Sequence, residues 1–374
     1  MQQVLLAKRA FDGSLRSLRK AATDSIDFTS NDYLGFARSD ELWRLIKSDL
    51  SSEPGKVNGS TGSRLLSGNS AMAEELETTL SDFHRGESAL LFNSGYDANL
   101  GLFSCIAQRT DTIVYDELCH ASIIDGIRLS HAQSVKFRHN NLTQLEEILK
   151  KAKGDVYVAA ESVYSMDGDL APLDELAKVC RLYNANLIVD EAHATGVFGS
   201  RGEGRTGELK LENKVFARMH TFGKALGCHG AVVICSEVLK NYLVNFSRPF
   251  IYSTALPPHS LSAIKAAYAY LTTQAENRTL LFERIRFFRE KVKVMEMADG
   301  IKIPERSGPI QNVVMSGNDR VKKLAAGVQS KGFDVRAIMS PTVPAGSERL
   351  RICLHSFNKE EEIEGLVKLL RSSE

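Results

Sequence analysis

Short apolar runs alternate with longer amphipathic stretches from residue 88 onward. The runs at Ala89–Phe92, Thr112–Tyr115, Ser134–Phe137, Val156–Ala160, Leu187–Val189, Val215–Phe222 and Ala231–Cys235 have the length and composition of strands. Helix-period patterns lie between them, at Ala98–Ala107, Ile123–Leu129, Leu142–Lys151 and Leu173–Tyr183. Parallel strands need such crossovers, so the pattern predicts an α/β fold with a mostly parallel sheet and helices on both faces. No helix separates Val215–Phe222 from Ala231–Cys235, so at least one strand should run antiparallel there. Upstream, Ser70 to His84 reads as a helix capped by Ser70, with Met72, Leu76 and Leu80 on one face.

The pattern changes after Pro257-Pro258. One long helical pattern runs from Ser260 to about Met297, followed by short segments at Gln311–Met315, Asp334–Ile338 and Arg349–Leu354 and a final helix, Lys359–Arg371. The expected organisation is an N-terminal arm over 1–48, a large α/β domain over 49–258 and a smaller α+β domain over 259–374. The arm holds a short basic amphipathic stretch, an extended Ile26–Ser30 and the turn Asn31–Gly35. A Gly/Ser-rich segment, Gly55 to Asn69, follows it, and backbone contact with a ligand is one reason for such a loop.

Composition narrows the class. The chain has 374 residues, 43% hydrophobic and 25% charged, as a globular protein does. Its 47 basic and 46 acidic side chains leave a formal charge of +1, so electrostatics supply no reason to expect nucleic acid or an anionic membrane as partner. The six cysteines are scattered without a Cys-x-x-Cys pair, which removes support for zinc ribbons and fits free thiols in a reducing cytoplasm. The apolar run Val4–Ala7 is too short for a signal-peptide core, and no segment approaches the length of a membrane span.

Candidate chemistry centres on Thr221-Phe222-Gly223-Lys224, between two predicted strands. Gly223 and Gly227 allow a planar ligand or another backbone to come close, and a lysine against an apolar wall is a usable amine nucleophile. A surface lysine in a Gly-rich turn fits the same pattern. Two other motifs fail on context. Gly202-Glu203-Gly204-Arg205-Thr206-Gly207 matches a dinucleotide fingerprint but follows no strand, so an exposed loop is expected. Asp190-Glu191-Ala192-His193 resembles the magnesium-binding strand of a DEAH-type helicase, yet no phosphate-binding loop precedes it. Asn93–Asp97 joins a strand to a helix start, a phosphate site or merely a cap. Asp190 ends a buried strand with His193 on the same rim, either a ligand partner or a structural hydrogen-bonder. Ser94, Asp190 and Lys224 all fall at strand ends, where ligands of such sheets sit. A phosphate cup, a carboxylate and an activated lysine are the three parts pyridoxal 5′-phosphate requires.

Together, Ser94-Gly95-Tyr96, Glu161–Gly168, Asp190–Gly196, Thr221–Lys224 and Tyr252-Ser253-Thr254 resemble the α-oxoamine synthase family, pyridoxal-phosphate enzymes with the aspartate-aminotransferase fold (fold type I). The resemblance covers nearly the whole chain. It implies a seven-stranded sheet, an amino acid and an acyl thioester (coenzyme A or acyl carrier protein) as substrates, and no metal. Lys224 would hold the cofactor aldehyde and act as base at the substrate α-carbon. Asp190 would pair with the ring nitrogen, His193 with the ring hydroxyl, and His120 would stack on the ring and touch substrate. Ser94, Gly95, Tyr96 and Thr221 would hold the cofactor and its phosphate, with Ser165 beside the ring. Thr254 would reach the phosphate of a neighbouring subunit in a homodimer. Arg351 would clamp the amino-acid carboxylate, while Asn31, Thr342 and Arg16 would line the acyl-donor side. Ser162 and Ala194 stand where glycine is commoner in the family, and the arm is shorter than usual. The segment Ser340–Arg351 resembles the branch that joins L-alanine to a pimeloyl thioester in biotin synthesis. Branches using glycine with acetyl-CoA, or serine with palmitoyl-CoA, are alternatives, as is a non-catalytic partner subunit of the same fold.

Overall fold

The computed structural model describes residues 1–18, 24–52, 58–294 and 300–371. Residues 55–57 of the Gly/Ser-rich segment and 295–297 of the expected long helix lie outside them. The chain divides into two compact units, one of Gly35–Tyr164 with Leu170–Ala275, the other of Met1–Leu34, Ser165–Asp169 and Glu276–Glu374.

The first unit is built on seven strands: β1 (Ser88–Phe92), β2 (Thr112–Asp116), β3 (Gln133–Phe137), β4 (Val156–Glu161), β5 (Asn186–Asp190), β6 (Ala217–Thr221) and β7 (Ala231–Cys235). Their spatial order is β1-β7-β6-β5-β4-β2-β3. Pairing is parallel from β6 through β3, while β7 runs antiparallel to both β6 and β1. The hairpin without a helix therefore produces the one reversed strand, and β1 to β6 all end on the same side. Crossover helices α1 (Gly95–Cys105), α2 (Ala121–Leu129), α3 (Leu142–Leu149) and α4 (Leu173–Leu182) follow β1 to β4. Two apolar clusters flank the sheet, one including Leu102, Ile123 and Val233, the other Val158, Leu176 and Val189. Burial of both faces is why the central strands read as unbroken apolar runs.

Two expectations need correction. The long helical pattern is two helices, Pro258–Thr273 and Ala275–Lys293, broken at Gln274. Thr272 and Thr273 turn their hydroxyls back onto Ala269 O and Tyr270 O, and such local bonds compete with the helix ladder. The Gly202–Gly207 loop is buried, not exposed, because it wraps the Glu191 carboxylate. That group accepts from the Arg205 amide at 3.0 Å, from the Thr206 amide at 2.6 Å and from the Thr206 hydroxyl. A Cβ on Gly204, whose φ is +101°, would lie 3.0 Å from the same carboxylate.

In the second unit, Arg336–Ile338, Arg349–Cys353, Ile310–Met315 and Ile301–Lys302 form an antiparallel sheet in that order. The arm's Ile26–Asp27 pairs parallel with Phe333–Asp334. Helix Glu360–Arg371 buries Ile363, Leu366, Val367 and Leu370 along one stripe. The basic helix Gln2–Phe11 buries no residue.

Candidate active site

The carboxyl ends of the parallel strands enclose a cavity of about 170 Å³. Glu161 ends β4, Asp190 ends β5 with His193 just beyond, and β6 supplies Met219 and Thr221 ahead of Lys224. His120 and Ser122 follow β2, and α1 contributes Gly95, Tyr96 and Asn99. Strand alternation turns Met219 and Thr221 to the cavity and leaves His220 on the other face.

Ser94 caps α1: its Oγ accepts from the Asp97 amide at 3.1 Å and its hydroxyl donates to Asp97 Oδ2 at 2.8 Å. The first amides of that helix have no intrahelical acceptor and carry the positive end of its dipole. A Cβ on Gly95 would lie only 3.3 Å from Thr221 Cβ, so glycine lets the helix start close on the end of β6. The backbone N–H groups at the helix start thus converge beside Thr221 where an anion can bind, while the Thr221 hydroxyl donates to Gly230 O at 3.2 Å.

Asp190 is buried, and both its oxygens accept hydrogen bonds, Oδ1 from the Ala192 amide at 2.8 Å and Oδ2 from Asn99 Nδ2 at 2.7 Å. His120 Nδ1 lies 2.8 Å from Ser122 Oγ. Burial lowers the His120 pKa below the ordinary imidazole value; Asp190 opposes the shift and Lys224 adds to it. The Tyr96 phenol donates to the Asp125 carboxylate, which also accepts from Arg128 Nη1 at 3.1 Å. That phenol bond is the chief cause holding the Asp125 carboxyl below its usual range. An amine, a carboxylate and an anion cup around one cavity suit a ligand carrying a carbonyl, a basic ring nitrogen and a phosphate.

Gly95, Tyr96, His120, Asp190, His193, Thr221 and Lys224 therefore meet at one place. Thr254 does not line that cavity. It borders a separate hollow of about 20 Å³ with Arg64, Asn93 and Phe250, and its carbonyl accepts from Asn93 Nδ2 at 2.9 Å. The remaining candidates lie in the second unit. Arg351 donates from Nε to Ser165 O at 2.9 Å and from Nη2 to Asn31 Oδ1 at 3.1 Å. Arg16 Nη2 donates to Thr342 Oγ1 at 3.2 Å. Sequence reasoning assigned no role to Asn99 or Ser122. Asn99 stands one turn after Gly95 on the same helix face, a spacing that was there to be used.

Residues 23–370 match the family described as Aminotransferase class I and II, and the chain belongs to that family. It is 43% identical to 8-amino-7-oxononanoate synthase of Emericella nidulans, over 95% of this chain and 90% of that protein. The corresponding enzyme of Lysinibacillus sphaericus is 34% identical over 92% of this chain and 87% of its own. Among solved structures, Sphingomonas wittichii serine palmitoyltransferase superposes with a TM-score of 0.90 at 27% identity, covering all of this chain and 96% of that one. The 8-amino-7-oxononanoate synthase of Francisella tularensis gives 0.80 at 30% identity, over 94% and 98% of the two chains. The fold is fold type I of the pyridoxal-phosphate enzymes.

Proposed function

We propose that the protein condenses L-alanine with a pimeloyl thioester, on coenzyme A or acyl carrier protein, to give 8-amino-7-oxononanoate, carbon dioxide and free thiol. The observation that carries this reading is the 43% identity, over 95% of the chain, to a relative of that name. The cavity residues fit pyridoxal 5′-phosphate. Asp190 offers acceptors at a strand end, Lys224 offers an amine, and the α1 start closes on Thr221 as a cup. Among the described residues, Asn99 Oδ1 is buried there without a partner. When bound, the cofactor supplies an aldehyde and an electron-withdrawing ring that stabilises negative charge at the substrate α-carbon.

The chain's own residues do the rest. Lys224 would hold the cofactor aldehyde and would serve as the base that moves the proton at the substrate α-carbon. Asp190 would keep a proton on the ring nitrogen, and His193 would bond the ring hydroxyl. His120 would cover one ring face, and Ser165 would lie beside the ring. The α1 start from Ser94 to Tyr96, with Thr221, takes the phosphate. Arg351, whose planar fork matches a carboxylate, orients the amino acid, while Asn31, Thr342 and Arg16 serve the acyl-donor side. Thr254 serves the phosphate of a neighbouring subunit, which makes the working enzyme a homodimer. Cytoplasmic localisation fits the scattered cysteines, and no helix among the described residues is long and apolar enough to cross a membrane.

The likeness to serine palmitoyltransferases supports a second reading, serine with a long-chain acyl thioester. Incubation with alanine, serine or glycine against dicarboxylic, long and short acyl thioesters, with mass spectrometry of the products, separates them. Alanine with the pimeloyl donor should dominate. A product built only from serine and a long acyl chain would replace the first reading with the second.

A further inference from the structure

Four side chains of the Lys224 cavity form a run of hydrogen bonds whose directions follow from its first member. Asp190 stands at one end. A carboxylate offers only acceptors, so the Asn99 atom 2.7 Å from its Oδ2 is the amide nitrogen. The same nitrogen lies 3.0 Å from Ser122 Oγ, so the serine oxygen accepts there. The serine proton is then directed to its other neighbour, His120 Nδ1, at 2.8 Å. The Ser122 backbone N–H donates to that ring nitrogen as well, at 3.3 Å. A nitrogen that accepts from two donors carries no proton.

We propose that Asn99 and Ser122 are positioning residues that lock His120 as its Nε2–H tautomer, so that the ring nitrogen left for a ligand is a hydrogen-bond donor. The proposal rests on the reading that His120 meets the cofactor and the amino acid. A neutral donor there suits a carboxylate or a developing carbonyl oxygen, and it ties the ring that covers the cofactor to the carboxylate that holds its nitrogen. Partial burial and the Lys224 charge push the imidazole pKa below its ordinary value, against Asp190 and Asp125, while Tyr96 packs edge-on at 6.4 Å. Asn99 and Ser122 are both buried, and the Asn99 carbonyl oxygen has no partner among the described residues. The amide is therefore held by its two donor bonds alone.

The test is nitrogen-15 NMR of the holoenzyme labelled at histidine, with the His120 signals assigned by their loss in His120→Gln. The wild type should show an unprotonated Nδ1 and a protonated Nε2. Ser122→Ala, which keeps the backbone donor, should mix the tautomers and raise KM for the amino acid roughly tenfold with kcat changed less. Asn99→Ala, which frees the serine hydroxyl to turn, should do the same. A protonated Nδ1 in the wild type overturns the proposal even if a variant fails to fold. So does Ser122→Ala with tautomer and KM both unchanged. Visible absorbance of the bound cofactor is recorded on the same samples. Its absence would sink the reading of the site, while the tautomer is still read from the free protein.

Discussion

Two histidine clusters lie on opposite faces of strand β6 and differ in almost everything else. On the cavity face, His120 belongs to a directed run of polar groups that opens onto Lys224. On the other face, His84 and His220 stack at 3.8 Å between ring centroids, both fully buried. His84 bonds Tyr268 OH at 2.9 Å and Glu203 O at 3.2 Å, while His220 bonds Thr195 Oγ1 at 2.9 Å. Arg218 donates to His84 O at 2.7 Å from beside them. Burial pushes both histidines well below the ordinary imidazole range, and the Arg218 charge adds to the shift. Imidazoles thus occur in two settings on the two faces of one strand, His120 at an open cavity and His84 with His220 sealed in the interior. His120 borders a cavity that Lys224 also lines, while the sealed pair joins strand to helix.

The sharpest way to break that contrast is Asp190→Ala, which removes the proposed partner of the ring nitrogen and the first member of the polar run. Turnover should fall by roughly 10²–10⁴-fold, read by steady-state kinetics on protein whose circular dichroism is unchanged. His220→Ala should behave in the opposite way. It leaves a cavity and unpaired polar neighbours, costing about 2–4 kcal/mol in denaturant unfolding, with kcat per folded molecule within about twofold of wild type. A loss of kcat at full cofactor occupancy would show that the sealed cluster reaches the chemistry after all.

The sealed pair also predicts a pH dependence. In the unfolded chain both histidines titrate near 6.5, and folded they titrate well below that. Below the unfolded pKa the unfolded state binds more protons, so stability falls as pH drops and is fully present above it. The slope is roughly 1.4 kcal/mol per pH unit for each histidine. His220→Phe should flatten the decline in unfolding free energy below pH 6.5, and an unaltered slope would contradict the assignment. The smallest effect is expected from Tyr96→Phe. The phenol–Asp125 bond is exposed, so KM should move less than about threefold with no change in folding midpoint.

Much of the fold is legible in the sequence because each crossover is long and each central strand is apolar on both faces. The hairpin at Lys224 even announces the reversed strand. The break at Gln274 is harder to see, since Thr272 and Thr273 interrupt a helix by local hydroxyl bonds that leave its apolar period intact. The Gly202–Gly207 loop looks polar and free until Glu191 is seen inside it. At the site, Lys224, Asp190 and His120 stand in motifs, whereas Asn99 is one amide in an ordinary helix. Its meaning is that it lies 2.7 Å from a carboxylate 91 residues away, and periodicity does not encode that.

The central claim, that Lys224 binds the cofactor aldehyde, is tested most directly by borohydride reduction of the holoenzyme followed by peptide mapping. The account predicts a single pyridoxyl-phosphate adduct on the peptide carrying Lys224, absent from Lys224→Ala. An adduct on another lysine, or visible absorbance of the bound cofactor retained in Lys224→Ala, would contradict it.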